Sequence, residues 1–224
     1  MAEQHDEALL LRCIPYSESS LICHFLTKKH GKISLMARGA RRLKSPFRSA
    51  LFPLYDLHIH WQEGRTGMGQ LRSIQRHQCL LNEADALLGL ELLANIQHLF
   101  QESDEHAFQM VHEALFCISE RGGQEGLCMG VWLCLKYTGC LGELFHCWHC
   151  GQETMGNMLW KADQLVCLNC ATTGLAVSIG LRKSMHAIFQ HNHVHLNQAD
   201  LKTWQTIIGL LLHEHRIKVS ESFL

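Results

Sequence analysis

KKHGKISLMARGARRLKSPFR, residues 28–48, carries eight cationic side chains and no acidic one. The cations are Lys28, Lys29, Lys32, Arg38, Arg41, Arg42, Lys44 and Arg48. The middle of the stretch alternates. Ile33, Leu35 and Ala37 fall on one face of an extended segment, and Lys32, Ser34, Met36 and Arg38 on the other. A period of two predicts a strand with an apolar inner face and a cationic outer face. From Gly39 the alternation stops and the charge continues, which reads as a basic loop. Gly39 permits a tight turn or close backbone approach there.

The neighbouring segments extend the β reading. Residues 8–14 form an apolar run that ends at Pro15, and residues 21–26 form a second. In residues 54–61, Tyr55, Leu57, Ile59 and Trp61 oppose Asp56, His58 and His60. A glycine-rich turn, EGRTGMG at 63–69, leads into residues 70–76. Five short strands with turn signals between them predict a small barrel. The OB-fold is such a five-stranded barrel, and its strand face and loops bind oligonucleotides.

From about residue 80 the period becomes helical. Leu88, Leu92 and Ile96 recur on one face, as do Phe108, Val111, Leu115 and Ile118. Trp132, Leu135 and Leu141 sit in a third helical segment, ended by Gly139 or Gly142; Leu181, Met185, Ile188 and Phe189 mark a fourth, and Leu201, Trp204, Ile208, Leu211 and Leu212 a fifth. Asn197 or Asp200 is placed to cap the last one. The fold class expected is α+β and multidomain: an OB-fold at 1–80, then an α-helical domain at 81–224. The charge divides in the same way. Residues 1–80 hold 12 Lys and Arg against 6 Asp and Glu, and residues 81–224 hold 8 against 15. The chain is nearly neutral at −1, yet one part is strongly basic and the other acidic. Such asymmetry points to an anion-binding module joined to a second unit with other contacts.

No apolar run reaches the ~18 residues of a membrane span, so no membrane partner is expected. The start MAEQHDEALLLRC has acids where a secretory leader has cations, which points to a cytoplasmic location. Disulfides are rare in that compartment, and eleven cysteines call for another explanation. Cys147-Trp-His-Cys150 and Cys167-Leu-Asn-Cys170 are two C-x2-C pairs separated by 16 residues. That spacing suits four thiolates around one Zn²⁺. The intervening segment is too short and polar to carry a core of its own, so metal would supply its stability. Four thiolates close the coordination shell, so the metal is expected to be structural. Cys13, Cys23, Cys79, Cys117, Cys128, Cys134 and Cys140 read instead as small hydrophobes.

No G-x-S-x-G, GxxxxGK[ST] or HExxH motif occurs, and Glu102, Asp104 and Glu105 read as a helix connection. The expectation is a protein without catalytic residues. An alternative is a zinc-ribbon or OB-type factor of transcription or RNA metabolism. A nuclease or a thiol redox protein explains the motif order less well.

Five blocks carry a family resemblance. They are LLLRCIPYSESSLICHFLTKKHGKISLMARGARRLKS (9–45), FRSALFPLYDLHIHW (47–61), LLANIQHLF (92–100), LKYTGCLGELFHCWHCG (135–151) and LVCLNC (165–170). In this order they resemble the bacterial RecO family of DNA-repair proteins. The resemblance implies an N-terminal OB-fold and a helical C-terminal domain with a zinc knuckle at 146–171. It implies a recombination mediator of the RecF pathway, bacterial and nucleoid-associated. Such a mediator binds single- and double-stranded DNA, anneals strands and, with RecR and RecF, loads RecA onto DNA coated by single-strand-binding protein. The eight cations of 28–48 would contact DNA phosphates, and Phe47 and Trp61 could add base stacking, with barrel core the alternative for both and the favoured one for Trp61. The acidic tail of single-strand-binding protein would need a basic, apolar pocket in the helical part. Arg121, Lys136, Arg182 and Lys183 are the few cations available for it, and the sequence does not choose among them. One departure from the family pattern is Asp163-Gln164, where two glycines are common. Some members of the family lack the cysteines, which agrees with zinc as a brace.

Overall fold

The computed structural model describes residues 2–64, 68–100, 106–190, 196–215 and Phe223. Arg65, Thr66 and Gly67 of the glycine-rich turn, and the carboxylates Glu102, Asp104 and Glu105, lie outside the described residues. Five strands form a closed barrel in the order β1-β2-β3-β5-β4. They are β1 (Glu3–Tyr16), β2 (Ser20–Thr27), β3 (Gly31–Ala37), β4 (Tyr55–Gln62) and β5 (Gly69–Cys79). Ala8, Leu10, Cys23, Phe25, Leu35, Ala37, Leu57, Ile59, Trp61 and Leu71 fill the interior. The parallel pairs Leu35↔Gly69 and Met36↔Gln70 close it. Closure is tight at Gly69, where a Cβ would stand 2.8 Å from Leu35 Cδ2 and 3.1 Å from the Gln62 carbonyl.

β1 runs past Pro15, where the sequence pattern predicts its end. Its first part, Glu3 to Ala8, pairs with β4, and its second, Ala8 to Tyr16, pairs with β2. Beyond Ala8 one edge of β1 needs no donor, and a proline is tolerated there. A register shift at Leu10/Arg12 marks a bulge in the same region.

The helical body contains α1 (Ala86–Ile96), α2 (Ala107–Arg121), α3 (Gly123–Tyr137), α4 (Ile179–Ala187) and α5 (Gln198–Glu214). Gly126 through Leu135 of α3 are all buried, so this helix runs through the centre. Trp132 on α3 meets Trp204 on α5 edge-on, with ring centroids 5.8 Å apart. The Asn197 side chain caps α5 by accepting the Asp200 N–H at 2.8 Å.

Two features go beyond the sequence pattern. Residues between the cysteine pairs form β6 (Met158–Lys161) and β7 (Gln164–Cys167), joined by β8 (Leu175–Val177) in the order β7-β6-β8. Met158, Trp160, Leu165 and Val177 enter the helical core. The segment has no core of its own and shares that of its neighbours. Barrel and helices also share apolar packing. Leu9, Leu11, Leu26, Leu54 and Leu81 belong to the helical cluster, although Leu10 faces the barrel interior. Residues 8–11 are therefore buried on both faces of β1.

Close packing of α3 gives a stability test. A Cβ on Gly130 would lie 2.7 Å from the Ala114 carbonyl oxygen of α2. Alanine in a helix interior gains about 0.5–1 kcal/mol over glycine, and a backbone overlap of this kind costs about 1–3 kcal/mol. Gly130→Ala should therefore lower the denaturation free energy. Gly180→Ala, at an exposed position of α4 with only Ser178 Oγ at 3.6 Å, should raise it by about 0.5–1 kcal/mol. Urea unfolding of both variants checks the pair.

Candidate nucleic-acid interface and cysteine cluster

A buried carboxylate shapes the turn that begins the basic stretch. Asp6, almost fully buried on β1, accepts the backbone N–H groups of Lys29 (2.8 Å) and Glu7 (2.9 Å). It also meets His30 Nδ1 at 3.0 Å. Thr27 Oγ1 donates to the Gly31 carbonyl at 2.9 Å and accepts from His30 N at 3.0 Å. The turn is thus fixed from both sides. Lys28 pairs with Glu7 at 3.0 Å in an exposed contact, and Lys29 is exposed.

The outer face of β1, β2 and β3 follows from their register. Arg12 lies opposite His24, and His24 opposite Ser34. Ile14 lies opposite Ile22, and Ile22 opposite Met36. His24 Nδ1 is 2.8 Å from Ser34 Oγ. Burial lowers the His24 pKa below the ordinary imidazole value, and the charges of Arg12 and Lys32 lower it further. The same three causes act on His98 at the edge of the helical body, with Lys32 ahead of Arg12.

Beyond β3 the basic loop is stapled to the barrel. Gly39 turns at φ +71°, a left-handed conformation that glycine adopts without strain. Ala40, Phe47 and Ala50 are buried, and Arg38, Arg41, Arg42, Lys44 and Arg48 are exposed. Arg41 ties the loop to the β1–β2 hairpin: its N–H donates to Ser19 O at 2.9 Å and its guanidinium to Ser17 O at 3.0 Å. Among the described residues no carboxylate forms an ion pair with any of these five cations.

The site differs from the sequence expectation at three points. Lys32 donates to the Gln97 carbonyl at 2.8 Å, so it straps the barrel to the end of α1. Phe47 is 9% exposed and packs in the barrel interior, which leaves no ring face for a base, and Trp61, 4% exposed, takes the core place favoured for it. Tyr16, 49% exposed, and Ile14, 39% exposed, lie on the outward hairpin instead. Pro15 hid them, because it reads as the end of the strand. Arg12 was missed because it lies outside the charge cluster in sequence and joins it only through pairing.

The four cysteines of the two C-x2-C pairs come together. The Sγ atoms of Cys147, Cys150, Cys167 and Cys170 all lie within 4.8 Å of one another, with Cys150 and Cys167 at 3.9 Å. A tetrahedron with metal–sulfur bonds of ~2.3 Å has edges of roughly 3.8 Å, so the set fits one metal ion. His146 and His149 are not part of it. The backbone of His146 instead forms an isolated antiparallel β-bridge with that of Glu153. Burial raises the Cys147 pKa, but backbone N–H groups of Cys167, Cys150 and His149 outweigh it and bring the thiol to about 6. The Cys167 N–H reaches Cys147 Sγ at 3.3 Å. Cys170 is pushed up to about 12 by its contacts with Cys167 and Cys150. One thiolate is thus stabilised by the backbone, and further ionisation needs a cation to offset the crowding. The β6–β7 hairpin turns at Ala162 (φ +48°) and Asp163 (φ +59°), where the usual glycines are absent.

Arg182, fully buried on α4, fastens this knuckle to the helices. It donates to Leu144 O at 2.8 Å, Thr154 O at 3.0 Å and Gly156 O, and its guanidinium stacks over Phe145. The sequence treated Arg182 as a cation free for a partner, but its charge is spent on three carbonyls that flank Cys147 and Cys150. Arg182→Met should leave those acceptors unpaired and cost about 3 kcal/mol. In a metal-free sample it should also speed thiol labelling at Cys147, read by mass spectrometry.

Comparisons with known proteins agree with this architecture. Residues 1–79 match the family described as Recombination protein O N terminal. The DNA repair protein RecO of Glaesserella parasuis serovar 5 is 41% identical over 76 residues, 34% of this chain and 30% of that protein. That of Acidovorax ebreus is 32% identical over 107 residues, 46% of this chain and 41% of that protein. That of Desulfitobacterium hafniense is 24% identical over 188 residues, 80% of this chain and 69% of its own length. The shorter matches therefore span less than half of the relatives' length. Residues 1–79 thus resemble the N-terminal part of the RecO family, and a weaker likeness to a DNA repair protein RecO extends over most of the chain.

Proposed function

We propose that this chain is a DNA repair and recombination mediator that binds single- and double-stranded DNA without base sequence preference. The observation that carries the reading is the cationic edge formed by Arg38, Arg41, Arg42, Lys44 and Arg48. These side chains are exposed, have no carboxylate counter-ion among the described residues, and stand on a loop stapled to a rigid barrel. Long cations on such a support follow a phosphate backbone and carry no base information. Arg12 on the adjoining strand face extends the path, and Tyr16 offers an exposed ring for stacking. Lys28 and Lys29 flank it, and Lys32 contributes field rather than contact. The division of labour is a DNA-binding OB unit at 1–80 and a helical unit at 81–224 with its knuckle at 146–171. No covalent step is involved, and the relatives' shared name, DNA repair protein RecO, supports the setting.

Replacing Arg38, Arg41 and Arg42 together with Ala should flatten the salt dependence of DNA binding by about 2–3 units of slope. Tyr16→Ala should weaken single-strand binding by about 1–3 kcal/mol and double-strand binding much less. Fluorescence anisotropy across a salt series measures both. An unchanged slope removes the arginines from the interface, and a preference for RNA would favour the transcription or RNA-metabolism alternative.

In this proposal the knuckle holds one structural Zn²⁺ on Cys147, Cys150, Cys167 and Cys170. The pairing of a backbone-stabilised thiolate with three close sulfurs supports it. Single-strand-binding protein, RecR, RecF and RecA are the partners implied by the family. For the acidic, apolar-ended tail of single-strand-binding protein, an open pocket of about 350 Å3 offers suitable chemistry. Leu133, Ile188 and Phe189 line it, and Lys136 Nζ stands 3.6 Å from the Phe189 ring centre at its rim. Lys136→Glu should reduce binding of the tail peptide at least tenfold and leave DNA affinity within twofold. Titration calorimetry with the peptide provides the measurement, and undiminished binding would move the tail elsewhere.

A further inference from the structure

Cys13 on β1 and Cys23 on β2 face each other directly across the antiparallel ladder. Their Sγ atoms are 3.4 Å apart, and both thiols are free. Residues paired in this way have Cα atoms ~4.5 or ~5.5 Å apart, depending on the type of pair. Both values lie inside the ~4.4–6.8 Å window that a disulfide spans. Only the sulfurs need to close, with no movement of the strands. Cys23 is fully buried in the barrel interior, and Cys13 is half-buried at its rim. A small oxidant can reach Cys13 and not Cys23.

We propose that Cys13 and Cys23 form a peroxide-oxidisable thiol pair, with Cys13 as the attacking sulfur and Cys23 as the resolving one. The site is separate from the DNA interface and the cysteine knuckle, and does not depend on what either binds. The Cys13 thiolate attacks one oxygen of hydrogen peroxide, the O–O bond breaks, and hydroxide leaves. Cys13 becomes a sulfenic acid, and the hydroxide takes up the proton that Cys13 released, giving water. The Cys23 sulfur then attacks the Cys13 sulfur and the S–O bond breaks. The sulfenic oxygen leaves as water with the Cys23 proton. In sum two thiols and one peroxide give one disulfide and two waters, a two-electron oxidation.

The thiol of Cys23 favours the reactive form of its partner. Its hydrogen bond lowers the Cys13 pKa, and burial opposes this less strongly. Thiolate character and access are what select a cysteine for oxidation. The neighbours have a structural stake in the result. The pair lies just before the hairpin tip, where Ser17 and Ser19 carbonyls hold Arg41. A crosslink at 13–23 would lock the strands that carry this support.

The test treats the full chain, loaded with zinc, with hydrogen peroxide and maps thiols by non-reducing peptide mass spectrometry. The expected product is a peptide pair joined through Cys13 and Cys23, lost again on treatment with dithiothreitol. Cys23→Ala should leave Cys13 as a sulfenic acid that dimedone traps, with at least tenfold more label than the parent chain. Cys13→Ser, at the less buried position, should retain the Cys23 thiol unmodified at the same peroxide dose. The proposal is overturned if Cys13 and Cys23 remain alkylatable while the knuckle cysteines oxidise. It is equally overturned if Cys13 passes to sulfinic acid with Cys23 still free.

Discussion

Everything in this molecule is arranged around the seam where the outer face of β1 and β2 packs on the helices. Leu9, Leu11 and Leu26 point away from the barrel interior and are buried among helical side chains. Each such leucine contributes about 1.5–3 kcal/mol on burial. Polar contacts across the seam include Lys32 on the Gln97 carbonyl, and His112 Nε2 stands 3.1 Å from Asp56 Oδ1. A hydrogen bond of the first kind is worth about 1 kcal/mol, so the leucines dominate. Their effect on function is geometric. An OB barrel normally offers its whole strand face to a ligand. Here the helices cover the part near Leu26 and leave the part toward Ile14, Met36 and Arg38.

That constraint explains where the charge stands. With part of the face covered, the open surface runs from Arg12 and Tyr16 to the loop carrying Arg38, Arg41, Arg42, Lys44 and Arg48. Five exposed cations on a short loop repel one another, though salt screens exposed charges beyond ~8–10 Å. The loop keeps its form because Ala40, Phe47 and Ala50 are buried beneath it. Apolar anchors and cationic heads alternate in the same few residues. An anionic ligand would relieve the repulsion and would meet a support that is already ordered, which lowers the cost of binding.

Much of this was legible in the sequence, for definite reasons. The alternation of residues 32–38 assigns Leu35 and Ala37 to the interior and Arg38 to the outside, because a strand has a side-chain period of two. The stripe Phe108, Val111, Leu115 and Ile118 is buried along α2 as its spacing requires. The cysteine spacing brings four sulfurs together. What could not be read depends on contacts distant in sequence. The role of Lys32 is set by a carbonyl 65 residues away. That of Arg182 is set by carbonyls of residues 144, 154 and 156. Phe47 sits in a basic loop and gives no local sign that it turns inward. Short strands such as β8 are stabilised by pairing and borrowed core, and their own three residues carry no period.

The cysteines show how one side chain takes several roles under environment alone. Burial pushes the Cys117 thiol up to about 11, and Cys128 and Cys134 higher still. These act as small apolar groups, because no thiolate survives in such surroundings. In the knuckle the backbone N–H groups reverse that balance at Cys147, and the four close sulfurs form a set that could hold a metal ion. Arg182 holds the same loop from the other side, through the carbonyls of Leu144, Thr154 and Gly156. A metal on the four sulfurs would close the loop around itself, while the guanidinium fixes where the loop sits on the helices. Removing such a metal would loosen the knuckle internally and leave it attached. The helical core, with Met158, Trp160 and Leu165 in it, is held to the knuckle by that guanidinium whether or not the sulfurs carry an ion.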